Sequence, residues 1–241
     1  MSGQVNPYNN TQSKTEQVRQ MFNNIAGNYD LLNHFLSFGI DIYWRKQALK
    51  KVKPFDDMRV LDIATGTGDL AIMLAEKGAK VNGIDLSTSM MEKGRAKAVK
   101  LGLDDSITFE NGDASKLTFA SDEFDAVTVA FGVRNFEKLQ QALREMLRVL
   151  KPQGRLVILE FSKPQNTIVQ ALYEFYNFRV LPFFGKLISR DKRAYEYLPE
   201  SISQFKSGKD FVSELEKVGF SNTSFVPLSF GIATIYLATK Q

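Results

Sequence analysis

Arg59-Val60-Leu61-Asp62-Ile63-Ala64 runs straight into Thr65-Gly66-Thr67-Gly68-Asp69, and a helical pattern follows to Lys77. A short apolar strand that turns through glycines into a helix is a ligand-binding arrangement. Glycine lets the backbone approach a ligand without a Cβ in the way, and the helix N-terminus offers N–H donors and positive dipole. The next apolar run, Lys80 to Ser87, contains Asp85, 17 residues beyond Gly68. A carboxylate there can accept hydrogen bonds from both hydroxyls of a ribose. The glycine spacing alone also suits a dinucleotide. Two features turn the reading toward S-adenosylmethionine. Asp62 and Asp69 bracket the glycines, which repels a pyrophosphate and attracts a ligand carrying a sulfonium and an amino group. Asn111-Gly112-Asp113-Ala114, at the end of the third run, sets a carboxylate beside a small residue, where it can accept from an adenine amino group.

Working outward, strands and helices alternate. Thr88–Leu101 reads as a helix, Ser106–Ala114 as a strand, Phe124–Val133 as a strand and Lys138–Leu150 as an amphipathic helix. Lys151-Pro152-Gln153-Gly154 reads as a turn before a fifth strand, Arg155–Ser162. This is the pattern of βαβ units and a doubly wound, mostly parallel sheet, whose ligands lie at the carboxyl ends of the strands. Beyond Ser162 the alternation stops, giving a helical, aromatic-rich stretch. A helix over Lys209–Val218 closed by Gly219, and two runs, Ser221–Leu228 and Gly231–Lys240, then predict an antiparallel pair at the sheet edge. Upstream, Val18, Phe22 and Ile25, then Trp44, Ala48 and Leu49, recur at helical spacing. The expected organisation is a mobile tail over 1–14 and a single domain over 15–241. Within it lie a helical cap at 15–53, a cofactor-binding core at 54–162, a helical substrate-covering insertion at 163–206, and the last helix and edge strands at 207–241.

Composition narrows the chemistry. The chain has 241 residues, about 1.6 typical domains. It has no cysteine and one histidine, so thiolate metal sites, cysteine nucleophiles and multi-histidine centres are excluded, and no metal is expected. Lys and Arg exceed Asp and Glu by 31 to 27, a mild basic excess that does not imply nucleic acid. The first 20 residues are polar and no uncharged apolar run of 18 occurs, so a cytoplasmic protein is expected. Nineteen Phe, eight Tyr and one Trp are a surplus of rings that either fill a core or line an apolar site.

Three further stretches carry a resemblance. These are Tyr29-Asp30-Leu31-Leu32-Asn33-His34-Phe35-Leu36-Ser37 with Trp44-Arg45 after it, Phe131-Gly132-Val133-Arg134-Asn135, and Arg148–Gly154 running on to Leu159-Glu160-Phe161-Ser162-Lys163-Pro164. Leu181-Pro182-Phe183-Phe184-Gly185-Lys186 has the same look. With the glycine loop, they make the chain resemble the class I S-adenosylmethionine-dependent methyltransferases with a seven-stranded Rossmann-like sheet. More narrowly, it resembles the demethylmenaquinone/ubiquinone biosynthesis C-methyltransferases (UbiE/MenG), over about residues 15–240. The chain departs from that family at Leu32 for Met, Asp41 for His and Gln153 for Gly.

The resemblance implies C-methylation of a reduced polyprenyl quinone by S-adenosyl-L-methionine, giving S-adenosyl-L-homocysteine. Demethylmenaquinol is the leading substrate, with the equivalent ubiquinone precursor or another lipid as alternatives. Cofactor binding is carried onto Asp62, Gly66, Thr67, Gly68, Asp69 and Ala71, then Asp85 and Leu86, Asp113 and Ala114, and Ala130. Arg134 and Asn135, after the fourth strand, are the expected catalytic pair. An arginine is too basic to take a proton, so Arg134 would stabilise the ring phenolate, directly or through a water, while Asn135 orients the ring oxygen. The competing role for Arg134 is a brace paired with a carboxylate. Substrate contact is expected from Tyr29, Asp30, Asn33, His34, Trp44 and Tyr176, with His34 or Asp41 as candidate bases. The rings between Ala171 and Phe184, followed by Lys186, Arg190, Lys192 and Arg193, suggest a cover for a greasy tail. Peripheral contact with the inner membrane face and a homodimer are both compatible with this, as are two other classes: an NAD-dependent oxidoreductase and a non-catalytic binding scaffold.

Overall fold

The computed structural model describes residues 5–8, 10–27, 29, 30, 34, 37, 39–176, 179 and 191–241, with Lys192 described by its backbone alone. Asn33, the Leu181–Lys186 segment, Phe178 and Arg190 lie outside the described residues.

Seven strands form one sheet: β1 Arg59–Ile63, β2 Lys80–Asp85, β3 Ile107–Asn111, β4 Phe124–Ala130, β5 Leu150–Phe161, β6 Ser221–Leu228 and β7 Ala233–Thr239. Their order is β3-β2-β1-β4-β5-β7-β6. The first five are parallel, and β7 runs antiparallel to both β5 and β6. The expected doubly wound sheet with an antiparallel edge is therefore the fold. Chain order reverses between β1 and β4, which opens a crevice at their carboxyl ends.

Among the described residues eight α-helices flank the sheet: α1 Lys14–Ile25, α2 Ile40–Val52, α3 Asp69–Ala75, α4 Thr88–Lys100, α5 Leu139–Val149, α6 Thr167–Phe175, α7 Lys192–Gln204 and α8 Lys209–Val218. Side-chain caps start several of them. Ser13 accepts from Glu16 N at α1, Ser87 from Met90 N at α4, and Asp191 from Arg193 N and Ala194 N at α7. One face of the sheet packs against α2, α3 and α4 through Trp44, Ala48, Leu70, Leu74 and Met91. The other packs against α5 and α8 through Leu143, Met146, Phe211 and Leu215. β1 is buried on both faces, so Val60-Leu61-Asp62-Ile63 reads as a continuous run rather than an alternation. A third cluster joins α1 to α7, with Met21, Ile25, Tyr195 and Tyr197 around Met90 of α4.

Two details differ from the sequence reading. Lys151-Pro152-Gln153-Gly154 is not a free turn but lies within β5. Phe124 pairs with Leu150 and Ala126 with Arg155, so the extra residues bulge out. The end of β7 satisfies the bulge: Gln153 N donates to Lys240 O at 3.0 Å and Lys240 N donates to Gly154 O at 3.1 Å. Residues 5–8, from the segment expected to be mobile, lie against α1 and α7. Tyr8 N donates to Gln17 Oε1 at 2.9 Å, Tyr8 OH donates to Asp191, and Arg193 Nε donates to Pro7 O at 2.9 Å.

Candidate active site

The crevice begins with strained backbone. Ala64, just past β1, has φ 54°, and Phe131, just past β4, has φ 60°. Such angles are uncommon for residues with a side chain and concentrate at ligand sites. The two loops touch: a Cβ at Gly132 would stand 2.5 Å from Ala64 Cβ, so the chain after Phe131 requires glycine. Gly66 (φ 57°) is different, because a Cβ there would meet nothing within 4 Å and would project into open space.

That space is a cleft of about 830 Å³ between the carboxyl ends of the strands and α1. Gly66, Asp85, Leu86, Asp113, Ala114 and Ala130 line it from the core. Val18, Phe22 and Tyr29 line it from the cap. Asp85 is oriented by backbone amides: Gly66 N donates to Oδ2 at 2.9 Å and Ser87 N to Oδ1 at 2.8 Å. Each oxygen retains a lone pair for a diol. Burial pushes this carboxyl above its ordinary value, against the pull of those amides. The Asp113 carboxylate is steadied by Ser115 N at 2.8 Å.

A smaller pocket of about 330 Å³ adjoins it through Tyr29, Ala64, Gly66 and Ala130. Asp62, Thr67, Asp69 and Arg45 line its far side. Asp62 is 1% exposed and receives the hydroxyls of Thr65 at 2.7 Å and Thr128 at 2.6 Å. Burial pushes its carboxyl up to about 6, although both hydroxyls favour the charged form. Asp69 is bound to Lys97 Nζ at 2.5 Å and lies 3.6 Å from Arg45 Nη2. Thr67 Oγ1 donates to Asp30 at 2.6 Å, and Lys97 also reaches Asp30 at 3.1 Å. Thr67, Asp69 and Asp30 thus tie the glycine loop to the cap. Gly68 and Ala71 line none of these spaces. Gly68 admits the Phe109 ring, which would come within 2.8 Å of a Cβ, and Ala71 is fully buried in the α3 packing.

A second cleft, about 690 Å³, shares Phe22, Tyr29 and Phe131 with the first. Six rings line it, as Phe161, Tyr195 and Tyr197 join those three. Phe131 and Phe161 stack at 4.5 Å, with Trp44 edge-on behind Phe161 at 5.9 Å. Its charged wall is Asp41, Arg45 and Arg134. Arg134 is 7% exposed in its side chain and braced. Nη1 reaches Glu160 Oε1 at 2.8 Å and Phe131 O, Nε reaches Ser201 Oγ at 3.3 Å, and the guanidinium lies 5.4 Å from the Phe161 ring centroid. Nη2 has no hydrogen bond to a described residue. Asn135 lines the first cleft and accepts the Tyr197 hydroxyl at 3.0 Å.

Of the expected substrate contacts, Tyr29 lines all three spaces. Asp30, His34, Trp44 and Tyr176 line none of them. Asp30 holds Thr67 and Lys97, His34 Nδ1 lies 2.8 Å from Asp41 Oδ2, and Trp44 Nε1 donates to Ser229 Oγ at 2.9 Å. The sequence reading missed Val18, Phe22, Arg45, Glu160, Phe161, Tyr195 and Tyr197 as site residues. Arg45, Glu160 and Phe161 stand inside the quoted stretches, so a signal for them existed. Tyr195 and Tyr197 are two apart on a helix, a spacing that marks no single face.

A doubly wound sheet with a nucleoside-type cleft at its switch point, opening onto an aromatic cleft, defines a Rossmann-like α/β enzyme. The ubiE/COQ5 methyltransferase family model matches residues 10–240. A demethylmenaquinone methyltransferase of Bacteroides fragilis is 47% identical, covering 98% of this chain and 97% of its own length. A ubiquinone/menaquinone biosynthesis C-methyltransferase of Geotalea daltonii is 44% identical over 94% and 97%. The chain belongs to the ubiE/COQ5 methyltransferase family, and it is a methyltransferase. Among solved structures, the [4+2]-cyclase SpnF superposes with a TM-score of 0.71 at 18% identity, covering 94% of this chain and 96% of that one. That neighbour shares the fold but is named for a different reaction, so here the family carries the activity.

Proposed function

We propose that this enzyme transfers the methyl group of S-adenosyl-L-methionine to a ring carbon of demethylmenaquinol. The supporting observation is that the nucleoside-type cleft and the aromatic cleft share Phe22, Tyr29 and Phe131 as a common wall, beside Arg134. The names of the relatives agree with this reading. The Geotalea relative's name also favours a second one, the equivalent methylation in ubiquinone biosynthesis.

The donor set suits the cofactor. Asp85 would take the ribose hydroxyls and Asp113 the adenine amino group, with Gly66 leaving room that a Cβ would fill. In the small pocket, Asp62 would face the ammonium and Arg45 the carboxylate of the amino-acid end. When bound, the cofactor supplies an electrophilic methyl on a sulfonium. The aromatic walls of the second cleft would stack the quinol ring and exclude water. The Nη2 group of Arg134 would stabilise the ring phenolate, with Glu160 fixing the guanidinium plane behind it. Asn135, held by Tyr197, would orient the ring oxygen.

Peripheral contact with the bilayer, where a polyprenyl quinol resides, belongs to this reading. It is supported by Ile168, Leu172 and Phe175 on α6, each 64% exposed or more. Among the described residues no helix is long and apolar enough to cross a membrane. The test is transfer of labelled methyl from the cofactor to reduced demethylmenaquinone and, separately, to the reduced ubiquinone precursor. Transfer to the first supports the leading reading, transfer to the second alone supports the alternative, and transfer to neither removes both.

A further inference from the structure

Methylation at a ring carbon releases one proton, and the aromatic cleft must dispose of it. The new C–C bond takes an electron pair from the ring. The ring recovers aromaticity when its C–H bond breaks and that pair returns, so one H+ leaves for each methyl accepted. Among the described residues six titratable side chains line the cleft: Tyr29, Asp41, Arg45, Arg134, Tyr195 and Tyr197. Guanidiniums keep their protons and phenols enter neutral, with Tyr197 pushed up to about 12 by burial. Asp41 is the one carboxylate among the described residues of that wall.

Its surroundings give the proton a direction. Asp41 is 4% exposed. Ser37 Oγ donates to Oδ1 at 2.6 Å and Arg45 Nη1 to Oδ2 at 2.6 Å. Burial opposes ionisation, yet the Ser37 hydroxyl, Arg45 and His34 outweigh it and hold the carboxyl below its ordinary value. The same Oδ2 meets His34 Nδ1 at 2.8 Å, and the His34 side chain is 36% exposed. The pair therefore runs from the cleft wall to water. Beyond it, Arg45 is shared with Asp69 of α3, Asp69 is neutralised by Lys97 of α4, and Arg134 faces the cleft from beyond β4.

We propose that the Asp41–His34 pair takes up the proton released from the ring and passes it to solvent. This rests on the quinol C-methylation reading. The pair gains one proton, directly or through a water, so its net charge rises by one, and it returns to its starting charge when that proton reaches water. The proton belongs to the coupled pair, but Ser37 and Arg45 disfavour its staying on the buried carboxyl, so it leaves to water past the exposed ring. Asp41 is the proton-accepting wall, and His34 is the positioning and exit group.

The test uses the full chain and a quinol deuterated at the reacting carbon. Asp41→Asn and His34→Gln should lower turnover about 100-fold, the lower end of what general base catalysis contributes. His34→Gln should leave calorimetric affinity for S-adenosylhomocysteine unchanged, and both variants should bring out a primary deuterium isotope effect larger than that of the unaltered enzyme. Added imidazole should restore part of the activity of His34→Ala. A purely structural role for Asp41 as an anchor for Arg45 predicts the opposite. Turnover would then fall only with cofactor affinity, the isotope effect would not change and imidazole would rescue nothing. That result, or undiminished turnover in both variants, overturns the proposal. Failure of the unaltered enzyme to methylate the quinol would instead remove the functional reading beneath it.

Discussion

Asp62 places a carboxyl with two hydroxyl partners in the interior of β1, where burial raises it to about 6 from an ordinary 3.8. The folded state therefore binds this proton more tightly than the unfolded chain. The stability it contributes is complete below about pH 4 and is lost as pH rises through 6. Two pH units correspond to about 3 kcal/mol at most. Urea unfolding of Asp62→Asn against the unaltered protein should show the variant gaining about 2 kcal/mol in relative stability between pH 4.5 and pH 7.5. A flat difference contradicts this. The same variant should lose at least about tenfold in S-adenosylhomocysteine affinity, since an amide no longer attracts an ammonium. Gly132 is the second sensitive residue. A Cβ there would stand 2.5 Å from Ala64 Cβ and 3.2 Å from Val129 Cγ1. Gly132→Ala should cost about 1–3 kcal/mol in a thermal melt. The sequence signalled both residues, but it did not tell that Gly132 is required by the loop after β1 rather than by a ligand.

At the scale of elements, the cap is fastened to the core by charge. Lys97 of α4 holds Asp30 of the cap and Asp69 of α3 together, and Thr67 holds Asp30 from the glycine loop. Lys97 is 31% exposed in its side chain, so Lys97→Ala should cost only about 0.5–1 kcal/mol of stability. Its larger expected effect is faster release of S-adenosylhomocysteine in stopped flow, because the cap lines one side of that cleft. An unchanged release rate would mean that the latch does not hold the ligand in. Helix α6 is the other element with an open question. Leu172→Ser and Ile168→Ser should weaken sedimentation with anionic phospholipid vesicles while leaving affinity for S-adenosylhomocysteine unchanged. Equal sedimentation of the variants would argue against this helix as the membrane contact. Apolar spacing gave the helices their existence, yet it did not separate faces that pack from faces left open. Ile168 and Leu172, at i and i+4, look like a core stripe in the sequence and are 71% and 66% exposed.

Taken whole, the molecule builds its clefts from parts far apart in the chain: α1, the ends of β1, β2 and β4, and α7. A ligand bound there bridges cap and core, so S-adenosylhomocysteine at about 100 times its dissociation constant should stabilise the protein by about 2.7 kcal/mol, with a matching rise in Tm. NADH should give no rise. A rise with NADH instead would return the glycine loop to the dinucleotide class.

The sequence by itself determined the sheet, its parallel core and antiparallel edge, and the acidic residues of the nucleoside-type cleft. These are local matters, set by apolar periodicity, glycines at turns and carboxylates at strand ends. It also carried the family resemblance and the candidate Arg134. Only the tertiary structure decided which polar residues face a cleft and which face each other. Asp69 and Thr67 bind the cap, Trp44 binds Ser229, Glu160 braces Arg134, and Asp41 joins a cleft wall to His34. The reason is that a side chain's partners are chosen across the fold by burial. A buried charge or hydroxyl must be paired, and its partner may stand more than a hundred residues away.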